Sequence, residues 1–180
     1  VGCGTGASTA ALLSAAPKAR ITAADGSAGM IARARTKDWP DTVEFVHARA
    51  EELTGTERYD GILAAYLIRN LPDADAGLRT LHGLLKPGAR LAVHDYSVAD
   101  SRAARAIWNA VCWTVIIPSG TLVTRRSGLY RYLWESVRDF DGAAAFQRRL
   151  ERAGFVDVEA HTMPGWQRGV VHTFLARRPA

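Results

Sequence analysis

Four short apolar runs recur through the first half of the chain with helix-forming stretches between them: RITAAD at 20–25, VEFVH at 43–47, YDGILAAY at 59–66 and LAVHDY at 91–96. A strand followed by a helix and then another strand must bring the second strand back parallel to the first, so this alternation calls for a parallel sheet covered by helices on both faces. The connecting segments fit that demand. Residues 7–16 are strong helix formers stopped by Pro17, and Ser27 is placed to cap a helix running to about Lys37. A third helix shows Leu78, Leu81 and Leu85 on one face and closes at Lys86-Pro87-Gly88.

The second half departs from the alternation. Helical regions around 100–117 and 128–138 precede another helix in which Phe146, Leu150 and Ala153 repeat at helical spacing, with Gly154 to end it. FVDVEAHT and VVHTFLAR then form two strands separated by residues 163–169, close enough for an antiparallel pair. The expected architecture is a doubly wound, mostly parallel α/β sheet with an antiparallel C-terminal strand. It forms a single domain over 1–180, with a helical insertion at about 100–140 that covers the substrate. The apolar run AIWNAVCWTVII at 106–117 is broken by Pro118, and at 12 residues it falls short of the roughly 20 that a membrane-spanning helix needs.

Composition narrows the class of partner. The chain is 48% hydrophobic and 23% charged, the values of an ordinary globular domain. Its net charge of +5 permits attraction to anionic lipid or nucleic acid. The arginines are dispersed, however, and the close pairs Arg125-Arg126, Arg148-Arg149 and Arg177-Arg178 read as solvated surface, so no nucleic-acid partner is expected. Cys3 and Cys112 lack metal-ligand spacing, which points to a reduced, cytoplasmic protein without a metal.

In an open parallel sheet, ligands bind beyond the carboxyl ends of the strands. Those ends carry Gly2 to Gly6, Asp25, His47 to Glu51, Tyr66 to Asn70, and His94 to Tyr96. The opening stretch VGCGTGAS sets three glycines, Gly2, Gly4 and Gly6, before a helix, where the backbone turns tightly and unpaired N–H groups face a ligand. Asp25, about 20 residues on, is placed to accept both hydroxyls of a ribose. The turn reads as G-x-G-x-x-A, which suits a nicotinamide dinucleotide, or as G-x-G-x-G, which suits another adenosine-containing cofactor. The second form is the better match, but these residues do not separate the two.

The wider sequence does. VGCGTG followed by ITAAD, then YDGILAAYLIRNLPD and LHGLLKPGARLAVHDYS, resembles the successive motifs of class I S-adenosylmethionine-dependent methyltransferases. More narrowly, the chain resembles the ubiquinone/menaquinone biosynthesis C-methyltransferases. The likeness rests on Arg69-Asn70 after the fourth strand, on Leu85-Lys86-Pro87-Gly88-Ala89, and on Tyr130-Arg131-Tyr132-Leu133-Trp134-Glu135-Ser136-Val137. AGFVDVEAHT and GWQRGVVHTFLARR follow the family's closing pattern, so the similarity runs through essentially the whole chain.

That resemblance implies S-adenosyl-L-methionine as cofactor, held by Gly2, Cys3, Gly4, Thr5, Gly6, Asp25, Gly26, Met30, Ala50, Glu51 and Tyr66. The implied acceptor is a prenylated quinol, with Arg69 and Asn70 as catalytic residues and Asp95, Tyr130, Tyr132 and His172 around the substrate. Arg69 stays protonated, so its expected part is to stabilise a developing oxyanion or hold a proton-accepting water, while Asn70 orients the quinol hydroxyl. Of His94 and Asp95, which alternate along a strand, one is expected to face the acceptor. Tyr130 and Tyr132, two apart on a helix, point in different directions. Trp108, Trp113, Ile116 and Ile117 would suit a channel for the polyprenyl tail or a face resting on a membrane surface, or else an ordinary buried helix.

Three departures from the family stand out. Ala48-Arg49-Ala50-Glu51 replaces G-D-A-E, removing the acid that accepts from the adenine amino group, so Glu51 or a backbone carbonyl must take that part. Ala89 stands where the family has a second glycine, and a first strand ending at Val1 is expected upstream together with N-terminal helices. Alternative readings are a methyltransferase of another lipid-like or small aromatic acceptor, a nicotinamide oxidoreductase, and a non-catalytic cofactor-binding module. A homodimer is left open.

Overall fold

The computed structural model describes residues 1–125 and 127–180, so Arg126 lies outside the described residues. Its elements follow the alternation read from the sequence: α1 (Ala7–Ala15), β1 (Ile21–Asp25), α2 (Ala28–Arg35), β2 (Val43–His47), β3 (Tyr59–Ala65), α3 (Ala74–Leu84) and β4 (Leu85–Tyr96). The second half holds α4 (Arg102–Val111), α5 (Ile117–Thr124), α6 (Ser127–Arg138), α7 (Ala143–Arg152), β5 (Val156–Thr162) and β6 (Val171–Arg177). β1 and β2 pair in parallel, and a second sheet runs in the order β3-β4-β6-β5. Within it β3 and β4 are parallel, while β6 runs against both β4 and β5.

Residues 1–3 lie between the two sheets and tie them together. The amides of Gly2 and Cys3 both donate to the carbonyl of Ala24 in β1, at 2.8 and 3.1 Å. On the other side the Val1 amine donates to the Leu63 carbonyl of β3 at 2.6 Å.

Each helix forms for a local reason and stays for a tertiary one. Ser27, Asp73 and Ser101 accept from the amides of Met30, Ala76 and Ala104, capping α2, α3 and α4. Leu78, Leu81 and Leu84 of α3 enter the main core with Leu91 and Val93 of β4, and Phe146 and Leu150 of α7. Each such side chain contributes about 1.5–3 kcal/mol by leaving water. A second core gathers Trp108, Cys112 and Val137 among α4, α5 and α6, and a third joins Cys3 and Ala23 to Ile31, Ala34 and Phe45.

Two sequence expectations need correction. Leu85 does not continue the helix face of Leu78 and Leu81; it starts β4, with φ −75 and ψ 143, and pairs with Tyr59. Pro87 disfavours helical geometry at Lys86, so the chain is already extended there. Pro118 also fails to break the apolar run, because residues 102–124 form one continuous helical stretch of 23 residues with mean hydropathy 1.5 in its most apolar window. Between α4 and α5 the segment Cys112–Ile116 winds as a π-helix, in which the Ile117 amide reaches back to the Cys112 carbonyl. That wider turn makes room for a ring that would otherwise meet the carbonyl four residues earlier, at Thr114. The Thr114 and Ser119 hydroxyls donate to the carbonyls of Ala110 and Val115, satisfying backbone acceptors around the irregularity.

Gly6, at the N-cap of α1, has φ 91, and a Cβ there would lie 2.6 Å from Cζ2 of Trp39. The Trp39 indole is itself tied to the Ala34 carbonyl at 2.8 Å, so it cannot swing aside freely. Gly6→Ala is expected to lower stability by more than about 1 kcal/mol, seen as a fall in Tm of at least about 2–4 °C.

His82, His94 and His172 are all held below the ordinary imidazole value, chiefly by burial. The unfolded chain then binds protons that the folded chain refuses, so stability is lost as pH falls through about 6.5. Urea midpoints should drop between neutral and mildly acid pH, and the drop should shrink in His172→Gln, which does not titrate.

Candidate active site

The carboxyl ends of β1, β2 and β3 open onto a cleft of about 320 Å³. Its size falls within the range of roughly 300–1,000 Å³ usual for small-molecule sites. Gly2, Asp25, Gly26 and Ser27 form one side, residues 48–51 another, and Leu67, Asn70, Leu71 and Pro72 the third.

Asp25 organises the glycine turn. Its Oδ2 accepts from the Gly4 amide at 2.8 Å and its Oδ1 from the Ser27 amide at 2.9 Å. A carboxylate has about four acceptor sites, so each oxygen still has capacity for a hydroxyl. Gly4, with φ 54, has open space where a side chain would stand, which leaves its backbone approachable. Across the cleft, Glu51 Oε2 is buried without a hydrogen-bond partner among the described residues. Such an acceptor is costly unless something donates to it. The group implied by the sequence, an adenosine with a ribose and an exocyclic amine, fits the remaining acceptor capacity of Asp25, the unpartnered Glu51 oxygen and the wall of Leu67, Leu71 and Pro72.

The other cofactor candidates are dispersed. Cys3 turns its side chain into the third core, and its amide is already bonded to Ala24, so it does not present a group to the cleft. The Thr5 carbonyl accepts from Lys37 Nζ at 2.6 Å. Met30, 42% exposed at the start of α2, lies outside the residues that line the cleft. Ala50 lines it, buried. Tyr66 turns the chain at the end of β3 with φ 53, a conformation rarely tolerated by bulky residues, and its hydroxyl meets His94 Nε2 at 3.2 Å.

The catalytic and substrate candidates behave differently, because tertiary packing brings most of them to one place. In β4 the residues Leu91, Val93 and Asp95 face inward, and Asp95 is fully buried. Arg69 Nη1 meets Asp95 Oδ1 at 2.5 Å, with the Arg69 side chain only 7% exposed. The guanidinium also lies 5.4 Å from the Tyr96 ring centre and 5.9 Å from that of Tyr66. Burial pushes the Asp95 carboxyl above its usual range, opposed by Arg69, and pushes the Tyr96 phenol up to about 12. Asp95 Oδ2 has no partner among the described residues. His94, on the opposite face, bonds Thr173 and Tyr66.

Helix α6 closes over this pair. The Tyr132 hydroxyl donates to Asn70 Oδ1 at 3.0 Å, and Arg69 Nε donates to Ser136 Oγ at 3.4 Å. The Asn70 amide in turn donates to the Tyr66 carbonyl at 2.8 Å. Tyr132 and Ser136 are i and i+4 on one helix face, so the spacing within the motif, visible in the sequence, is the signal that adds Ser136 to the site. Tyr130 points elsewhere, packing on Gly120 of α5 within the second core. His172 lies in β6 directly across from Asp95, yet its Nδ1 is buried without a partner among the described residues and it does not line the cleft.

A glycine turn clamped by the acid that ends the next strand, and a sheet whose penultimate position in space is filled by a reversed last strand, define the Rossmann-like methyltransferase fold. A structure of the 1,6-didemethyltoxoflavin-N1-methyltransferase of Burkholderia thailandensis superposes with TM-score 0.66 at 21% identity, covering 100% of this chain and 69% of that one. More particularly, the chain belongs to the ubiE/COQ5 methyltransferase family, whose family model matches residues 1–176. It is 32% identical over 156 residues to the ubiquinone/menaquinone biosynthesis C-methyltransferase UbiE of Bradyrhizobium diazoefficiens, covering 84% of this chain and 62% of that protein. It is also 32% identical over 179 residues to the demethylmenaquinone methyltransferase of Clavibacter sepedonicus, covering 98% of this chain and 71% of that protein. The chain thus spans less than two thirds of the first of these relatives. Family membership sets aside the nicotinamide reading of the glycine turn.

Removing one member of a buried ion pair leaves the other charge uncompensated, at a cost of about 3–5 kcal/mol. Asp95→Ala is therefore expected to be strongly destabilised in denaturant melts. The double replacement Arg69→Met with Asp95→Leu should recover much of that loss, since no charge remains buried.

Proposed function

We propose that this chain is the core of an S-adenosylmethionine-dependent C-methyltransferase that methylates a prenylated quinol in menaquinone or ubiquinone biosynthesis. The observation that carries the reading is the double contact of α6 with the Arg69-Asn70 dipeptide, through Tyr132 and Ser136. These two motifs are the ones that resemble quinone-modifying enzymes rather than methyltransferases at large, and they meet at the edge of the cleft that Asn70 lines. We place the reaction in the cytoplasm against a membrane surface, where a polyprenyl tail resides.

Each residue then has a physical task. Asp25 holds the ribose hydroxyls and Glu51 takes the adenine amine that the family's missing acid would have taken. Bound there, the cofactor supplies an electrophilic sulfonium methyl group. What the chain must add is an acceptor carbon held in line and made nucleophilic. A ring carbon becomes electron-rich when the neighbouring quinol hydroxyl loses its proton, and a free phenol releases it only near pH 10. Asn70, steadied by Tyr132, orients that hydroxyl. Arg69 keeps its Nη2 hydrogens for the developing oxyanion or a proton-accepting water, because Asp95 takes Nη1 and Ser136 takes Nε. Asp95 fixes the fork in place and, being buried, holds it without solvent competition.

Calorimetric titration tests the cofactor: S-adenosylhomocysteine should bind and NADH should not, and Asp25→Ala should weaken the former at least tenfold, by roughly one charge-assisted hydrogen bond or more. Turnover of demethylated quinols tests the acceptor. Tyr132→Phe should slow it by about 5–10-fold through loss of one orienting bond, and unchanged quinone methylation in extracts of a deletion strain would overturn the quinol assignment in favour of another lipid-like or small aromatic acceptor.

A further inference from the structure

The α5–α6 hairpin ends in a tip that the proposed chemistry does not use. Leu122 and Val123, adjacent at the end of α5, are 83% and 82% exposed, the most exposed of the large hydrophobic side chains. Arg125 then turns the chain with φ 56, and Leu129, early in α6, is 59% exposed. Val115 and Trp113 continue the apolar surface along the same helical stretch at 56% and 48% exposed, and the Arg131 guanidinium lies over the Trp113 ring at 5.9 Å. Single exposed aliphatics are common on soluble proteins, but a cluster with two neighbouring side chains almost fully in water marks an interaction surface.

Charge identifies what covers it. From Arg102 to Trp134 the sequence holds five arginines and not one aspartate or glutamate, although the whole chain has 18 acids. An apolar tip flanked only by cations is the pattern that inserts shallowly at the surface of an anionic bilayer, with aliphatic and indole groups in the acyl boundary and guanidinium groups among the phosphates. Two copies of this chain meeting through the same face would oppose arginine with arginine, which disfavours self-association as the occupant. Spanning is disfavoured too, because α4 is pinned by Trp108, fully buried with its ring centre 4.8 Å from that of Tyr96 in β4.

We propose that the α5–α6 tip docks the protein on anionic phospholipid bilayers through Leu122, Val123 and Leu129, with Arg125 and Arg131 contacting the headgroups. Helix α6 links this tip to the cleft. Tyr132, which holds Asn70, follows Leu129 by one helical turn, a rise of about 4.5 Å. A bilayer against the tip therefore lies beside the cleft edge where an acceptor with a lipid tail would enter. That last step rests on the quinol reading, whereas the docking does not.

Co-sedimentation of the full chain with vesicles separates the two. Binding should be strong on phosphatidylglycerol/phosphatidylcholine vesicles, weak on pure phosphatidylcholine and weakened by salt. The double variant Leu122→Asp with Val123→Asp, and separately Arg125→Glu, should each lose at least about tenfold in partitioning. Their melting temperatures should stay at the parent value, because these side chains lie in water. Unchanged partitioning of the double variant, equal binding to neutral vesicles, or a tip-dependent dimer in light scattering would overturn the proposal. The same variants should methylate a short-tailed, water-soluble quinol at the parent rate. If the parent fails on that quinol while its tip still determines vesicle binding, the quinol reading falls and the docking stands; turnover without tip-dependent binding gives the reverse.

Discussion

The amides of Gly2 and Cys3 converge on one carbonyl, that of Ala24, while Val1 bonds to Leu63 on the other side. No other backbone pairing joins β1 and β2 to the four-stranded sheet, among the described residues. Three residues thereby set the distance between the two halves of the molecule, and the cleft is the gap they leave at the strand ends. The same stitch places Gly4 where its amide meets Asp25, so the turn is clamped by the acid that ends the neighbouring strand. Scaffold and binding loop are one piece of backbone, which is why a side chain at Gly6, colliding with Trp39, would disturb both.

A second lock sits deeper. Asp95 occupies a position that the alternation of Leu91 and Val93 reserves for an apolar side chain. A buried carboxylate is tolerable there because Arg69 meets it and Tyr96 donates its amide to the same oxygen. Buried ion pairs contribute little net stability over apolar packing, but they punish misplacement of either partner. The consequence is orientation: Arg69 is held between an acid, two aromatic rings and Ser136, and its remaining donors point in a fixed direction. The helical stretch after β4 supplies the other half of that arrangement, since α6 brings both Ser136 and Tyr132 against the dipeptide after β3.

Two segments illustrate how packing and local chemistry revise simple helix rules. Pro118 should end a helix, yet a π turn before it relieves the clash, and burial of Trp108 before the irregularity and Ile117 after it holds the helix in line. Leu85 has the right spacing to complete a helical face, but Pro87 and pairing with Tyr59 draw it into β4. At Pro118 a local penalty of about 3 kcal/mol is relieved by a change of winding that core burial holds, whereas at Leu85 the local effect of Pro87 and the sheet pairing act in the same direction.

The sequence alone determined the alternation of parallel strands and helices, the reversed final strand, and the glycine turn with its acid, because period and spacing are properties of the chain itself. It also marked Arg69-Asn70 and the segment from Tyr130 to Val137 as the motifs that carry the narrower family resemblance. Only the tertiary structure decided how they meet: Tyr132 rather than Tyr130 reaches Asn70, Ser136 joins Arg69, and Asp95 is the buried partner of a guanidinium rather than a group presented to the cleft. Only it showed that Cys3 packs into the third core, that Met30 lies outside the cleft lining, and that Glu51 lines the cleft with Oε2 unpartnered among the described residues. The physical reason is that these contacts join residues more than 25 positions apart in the chain, and their directions are fixed by which faces the sheets and helices bury, a matter that no local spacing encodes.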